Sequence, residues 1–173
     1  EGSGGTGSNA MHIVLMSPGA YTVPAGRTLY ITSLNRSAGL GNFSIGLTNV
    51  VSAAGWTALQ SPIPVPGGTS IGCPGGTTWV INGILRDQTA ATPVMSSISN
   101  VASYTVPAGK KLMVTALAMN SNAGQALRSS GTSIATLTPL GMNSFGQPLI
   151  VGSGRVVDLS VGTGVLLGYL LDE

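Results

Sequence analysis

Charge is what this chain has least of. Seven Lys or Arg and five Asp or Glu make up only 7% of 173 residues, where an ordinary soluble domain carries roughly 25%. Nothing resembles the basic stripe of a nucleic-acid binder: the densest pair, Lys110-Lys111, reads as a solvated strand edge. One cysteine, Cys73, excludes an intrachain disulfide, and its place in Gly72-Cys73-Pro74-Gly75 suits a half-buried thiol at a strand end. One histidine, His12, and few carboxylates undersupply both transition-metal coordination and paired acid–base chemistry. Neither a metal nor a cofactor is expected, and catalysis is not expected either. Long apolar runs are missing too. The longest, Val165–Leu171, contains a glycine and falls far short of the roughly 20 residues of a membrane-spanning helix.

What remains is apolar and neutral. Hydrophobic residues make up 43% of the chain, beside 26 glycines, so the polar surface must be built from Ser, Thr and Asn. Recurrent Val, Ile and Leu with little charge argue for a folded chain rather than a disordered one. Such surfaces suit secreted and virion proteins, and weak self-repulsion favours association. Glu1 to Ala10 is a Gly/Ser-rich stretch of the kind used as an expression leader and is expected to lie outside the fold. Setting Glu1 aside leaves four acids against seven bases, a formal +3. Met11-His12-Ile13-Val14-Leu15-Met16 lacks the cationic start and long apolar region of an export signal.

A duplication organises the rest. Tyr-Thr-Val-Pro-Ala-Gly occurs at Tyr21–Gly26 and again at Tyr104–Gly109. Arg27–Leu34 continues the match against Lys110–Leu117, Pro62–Val65 answers Pro148–Val151, and Ile81–Asp87 answers Leu166–Asp172. A period this long indicates a duplicated small domain, since solenoid repeats run to roughly 20–50 residues. The expected organisation is a leader over 1–10, a β-sandwich repeat over 11–88, a linker over 89–93 and a second repeat over 94–173. Two sandwiches packed together compete with two halves of one larger jelly roll. The former is preferred, although a domain this small buries only about 60% of its unfolded surface and is marginal alone.

Pro and Gly interrupt every helical window, whereas short Val/Ile/Thr-rich runs suit strands. In the first repeat the pattern predicts strands at Ala20–Val23, Arg27–Leu34, Phe43–Leu47, Trp56–Leu59, Ile63–Val65, Thr69–Gly72 and Thr78–Leu85. In the second it predicts Ser103–Val106, Lys110–Met119, Leu127–Leu137, Pro148–Val151, Arg155–Ser160 and Val165–Leu171. Val-Pro-Ala-Gly is expected as a tight hairpin with proline in the second turn position. Strict alternation would turn Leu29, Ile31 and Ser33 one way and Tyr30, Thr32 and Leu34 the other. All this points to an all-β chain of two tandem, jelly-roll-like β-sandwich domains.

Motifs that carry chemistry fail on context. Gly68-Thr69-Ser70-Ile71-Gly72 has the letters of a nucleophile elbow, but His12 precedes it and no helix follows. Gly152-Ser153-Gly154 and Gly162-Thr163-Gly164 read as turns rather than phosphate loops, because β-type sequence follows them. Asp87 and Asp172, repeat equivalents, are expected to make end-of-strand hydrogen bonds. Trp56 is the one ligand-binding candidate, an indole whose apolar face can stack on a sugar ring with Phe43 in support; Trp79 reads as core.

The repeated T-V-P-A-G-[RK] segment and the closing strand ending Gly-x-Leu-x-Asp resemble small β-sandwich (jelly-roll) modules of bacteriophage appendages, such as head and tail fibres and virion decoration proteins. The resemblance implies a non-enzymatic structural or adhesion component of a virion, assembled as a homotrimer or other symmetric homo-oligomer. Its partners would be copies of itself, other virion proteins or a cell-surface glycan, with no nucleic acid and no membrane insertion. The alternative is a carbohydrate-binding module of a bacterial surface or polysaccharide-degrading protein, placed outside the cell and reliant on Trp56.

Overall fold

β-Branched residues pack well on a pleated surface, while frequent Pro and Gly deny a helix its hydrogen-bond ladder. The computed structural model describes residues 9–16, 19–38, 43–46, 48–50, 55–73, 78–88, 91–119, 125–139 and 141–173. Among them every regular element is a strand. The first repeat comprises β1 (Asn9–Met16), β2 (Gly19–Thr22), β3 (Arg27–Ala38), β4 (Phe43–Ile45), β5 (Thr48–Val50), β6 (Gly55–Pro66), β7 (Ser70–Cys73) and β8 (Thr78–Asp87). The second comprises β9 (Thr92–Ser99), β10 (Tyr104–Thr105), β11 (Lys110–Met119), β12 (Gln125–Ser129), β13 (Thr132–Leu137), β14 (Gly141–Val151), β15 (Val156–Leu159) and β16 (Thr163–Asp172).

Each repeat completes two four-stranded antiparallel sheets. The orders are β1-β8-β3-β6 and β2-β7-β4-β5 in the first, β9-β16-β11-β14 and β10-β15-β12-β13 in the second. Strand for strand the two are the same, and each is an eight-stranded jelly roll. The chain is therefore two tandem β-sandwich domains, and the reading as halves of one jelly roll falls.

Several expectations need correction. β1 begins at Asn9, pairing Asn9 with Leu85 and Ala10 with Ile84, so the end of the presumed leader belongs to a sheet. β9 begins at Thr92, which takes 92–93 out of the linker. Its Pro93 disguised it. That proline is harmless because β9 is an edge strand, where a missing N–H costs little. β6 runs unbroken through the two segments expected around it, and Leu127–Leu137 divides into β12 and β13.

The Val-Pro-Ala-Gly turn is not a hairpin. β2 pairs with β7 and β3 with β6 and β8, so the turn carries the chain from one sheet to the other. Arg27 N–H donates to Pro24 O (3.2 Å) and Lys110 N–H to Pro107 O (3.2 Å), making proline the first turn residue. Gly26 (φ 73°) and Gly109 (φ 70°) take the left-handed third position of a type II turn. The same glycines accept from Gln88 N–H and Glu173 N–H, tying the last strand of each domain to its first corner.

A bulge sets the register. Ladder pairing shifts at Thr32 in β3 and at the equivalent Thr115 in β11. Leu34 therefore rejoins Leu29 and Ile31 in the core, all three fully buried, which simple alternation does not allow. The bulged hydroxyls bond across the sheet, Thr32 Oγ1 to Asn82 O (3.1 Å) and Thr115 Oγ1 to Leu167 O (3.2 Å). Beside each bulge sits a glycine for lack of room. A Cβ on Gly83 would stand 2.8 Å from Tyr30 O, and one on Gly168 only 2.1 Å from Met113 O. On the other flank the segments 59–62 and 145–148 of the edge strands loop past a single residue of β3 or β11.

The domains join edge on face. β6, an edge strand, crosses β14, β11, β16 and β9. The β4–β5 turn arrives beside it, with a Cβ at Gly46 only 3.3 Å from Met95 Cε. Ala116, Ala118, Val165 and Leu167 thereby join the core of the first domain with Leu29, Ile31, Phe43 and Trp79. Ser61 Oγ donates to Phe145 O (2.5 Å) and Gln60 N–H to Ser144 Oγ (3.2 Å) at the margin. The second core, including Leu112, Val114, Leu117, Leu127 and Leu166, lies wholly within its own sandwich.

The graded space at the two bulge glycines gives a graded expectation. Gly168→Ala should destabilise the fold by about 3 kcal/mol and Gly83→Ala by about 1 kcal/mol, the upper and lower ends of overpacking costs. Urea denaturation of both variants reads the order; equal or negligible losses would contradict the bulge geometry.

Candidate interaction surfaces

The outer faces of the two equivalent sheets differ chemically. In the second domain Met95, Ala116, Ala118, Val165 and Leu167 form an apolar face beneath the first domain. The matching positions of the first domain are His12, Ser33, Asn35, Val80 and Asn82. There a polar chain runs across three strands: His12 Nδ1–H donates to Asn82 Oδ1 (2.7 Å), and Asn82 Nδ2–H donates to Ser33 Oγ (2.9 Å). Asn82 fixes the orientation of the histidine through its side-chain amide. What this face offers is an ordered row of donors and acceptors. Sequence reading passed over it, although the signal was available: Asn82 replaces Leu167 and Ser33 replaces Ala116 in otherwise matching segments.

The candidates from sequence are scattered. Trp56 has its backbone in β6, opposite Asn35; its side chain lies outside the described residues. Trp79 is fully buried and tilted against Phe43, with ring centroids 5.7 Å apart. Its buried Nε1–H has no protein partner among the described residues. Phe43 is thus a core residue, and its expected support for a sugar-stacking Trp56 is withdrawn. Ser70 starts strand β7 one residue after the Gly67–Gly68 turn, without the strand-to-helix geometry of an elbow. It lies in a different sheet from His12. Cys73 ends β7 and is 3% exposed, more deeply buried than expected because it occupies the core position of Leu159 in the other domain.

The few charges are spent on register. Arg27 pairs with Asp87 (2.9 Å) and Lys110 with Asp172 (2.5 Å), each directly across the ladder at repeat-equivalent positions. The two aspartates therefore close their strands as ion-pair partners. Arg128 Nε donates to Asp158 Oδ1 (2.7 Å) while its Nη2 donates to Leu159 O (3.1 Å). The two strand-end pairs, with their open aspartates, contribute about 0–1 kcal/mol each. Among the described residues no three His, Cys, Asp or Glu side chains gather in a metal-binding group. None of the described elements is a helix long and apolar enough to cross a membrane.

Two tyrosines report burial. The Tyr169 hydroxyl is pushed above the ordinary tyrosine range by desolvation and, secondarily, by Tyr30 of the other domain; Tyr104 is raised by desolvation alone. Arg86 lies 6.0 Å from the Tyr30 ring centroid, completing an aromatic and cationic corner between the domains. A raised tyrosine pKa means that the fold holds its proton longer than the unfolded chain. Its contribution is intact below about pH 10 and is lost as pH rises beyond that. An ultraviolet titration should show two late-ionising tyrosines. Tyr30→Phe should lower the Tyr169 midpoint without bringing it to the ordinary value; an unchanged midpoint would contradict the proximity of the pair.

No protein family, curated protein or solved structure matches this chain.

Proposed function

We propose that this chain is a non-enzymatic structural or adhesion protein of a virion, of the phage fibre or decoration type. It acts by self-association and by presenting Ser/Thr/Asn-rich turns outward. The observation that carries this reading is the pair of like jelly rolls joined edge on face, the second closing the core of the first. That architecture is itself a small assembly, and jelly rolls recur in viral capsid proteins as well as in lectins. Scarce charge removes the repulsion that keeps ordinary domains apart. Exposed hydroxyl-bearing residues such as Ser130, Thr132 and Ser133 line the β12–β13 hairpin, where an outer partner is met without charge. The alternative, a carbohydrate-binding module, rests on Trp56, whose side chain lies outside the described residues.

Size-exclusion chromatography with light scattering tests the proposal. Particles of more than one chain are expected at tens of micromolar. A strictly monomeric protein under those conditions would overturn it.

A further inference from the structure

The join within the chain is heterologous: an edge of one domain rests on a face of its twin, and different residues meet. Such a contact leaves one edge and one face unused, and repeating it between molecules closes a ring or extends a filament. The unused edge is that of the second domain, along β14 from Gln147 to Val151, beyond the Ser144 and Phe145 contacts with β6. The unused face is that of the first, outside β1-β8-β3-β6.

Burial at equivalent positions identifies the edge as unfinished. Ser61 is buried, and its counterpart Gln147 is exposed. Ile63 is fully buried and Leu149 only partly. Pro64 is buried whereas Ile150 is 68% exposed, one of three large apolar side chains so open among the described residues. An edge segment with outward apolar groups associates unless it is covered or charged. Here it carries no charge from Gly141 to Val151.

We infer that the β14 edge, centred on Gln147, Leu149 and Ile150, docks on the outer β1-β8-β3-β6 face of a second copy of this chain. The contact repeats between molecules the one already made within each. The occupant is a second copy because the duplicate of that face, in the same chain, already covers the duplicate of this edge. The receiving face is more polar than its covered twin, with His12, Ser33 and Asn82 where Met95, Ala116 and Leu167 stand. The contact between chains is therefore wetter and more readily reversed than the one inside each chain. This assignment rests on the self-associating role proposed above and names its surface.

Paired variants test it by sedimentation. Ile150→Glu disables the edge at an exposed position, and Val80→Glu, or Asn35→Glu should the former misfold, disables the face. Each alone should weaken association more than about tenfold, because a charge left unpaired in a contact costs at least a decade of affinity. Val101→Glu, at a loop position 90% exposed and away from both surfaces, should leave assembly intact. Mixing the edge variant with the face variant should give 1:1 dimers and nothing larger, since one sound edge and one sound face remain. Wild-type oligomers that survive Ile150→Glu, or a mixture that stays monomeric, would overturn the inference while leaving self-association standing. A monomeric wild type would overturn both.

Discussion

The first domain borrows part of its core. Its sandwich is open along the side between β6 and the β4–β5 turn, and Ala116, Ala118, Val165 and Leu167 close that side from the second domain. A sandwich of about 80 residues buries too little surface for comfort on its own. Taking the outer face of a neighbour into the core supplies the missing apolar area without lengthening any strand. Small side chains at 116 and 118 let the edge approach the sheet closely. This arrangement turns a face of one domain into a seat for an edge of the other.

The bulge at Thr32 and Thr115 makes the arrangement possible. It keeps Leu34 and Leu117 in their cores after the register shift, and it opens the segments 59–62 and 145–148 on the neighbouring edge strand. The first of those segments supplies the hydrogen bonds to Ser144 and Phe145. Gly83 and Gly168 are bound to the same event, since a displaced carbonyl fills the space a side chain would take. One local irregularity, copied with its domain, thus sets the core, the glycine and the shape of the edge together.

Much of the fold was legible in the sequence. The doubled Tyr-Thr-Val-Pro-Ala-Gly announced two domains, and the closing Gly-x-Leu-x-Asp marked their last strands. What stayed hidden depends on partners far away in the chain. Leu34 looked outward because no local pattern reveals a one-residue bulge. The start of β9, Thr92-Pro93, looked like linker because proline removes a ladder hydrogen bond except at a sheet edge. The turn at Pro24 looked like a hairpin because the residues that make a tight turn are the same whether the next strand pairs back or changes sheet. Of the candidate surfaces, the repeat alignment held the most information, in the places where the copies disagree rather than where they match.

Those disagreements have a direction. The two outer faces occupy equivalent positions, and they differ as their surroundings differ. The covered face now carries Met95, Ala116 and Leu167, which need no water. The open face carries His12, Ser33 and Asn82, whose hydrogen bonds satisfy one another and leave few polar groups stranded when a partner arrives. On the edges the bias is reversed. Ile150 stays apolar in the open although Pro64, its covered twin, could have been matched by any polar residue. An edge that keeps an exposed isoleucine and no charge, opposite a face that has become polar but internally satisfied, is consistent with a contact formed and released between molecules rather than locked within one.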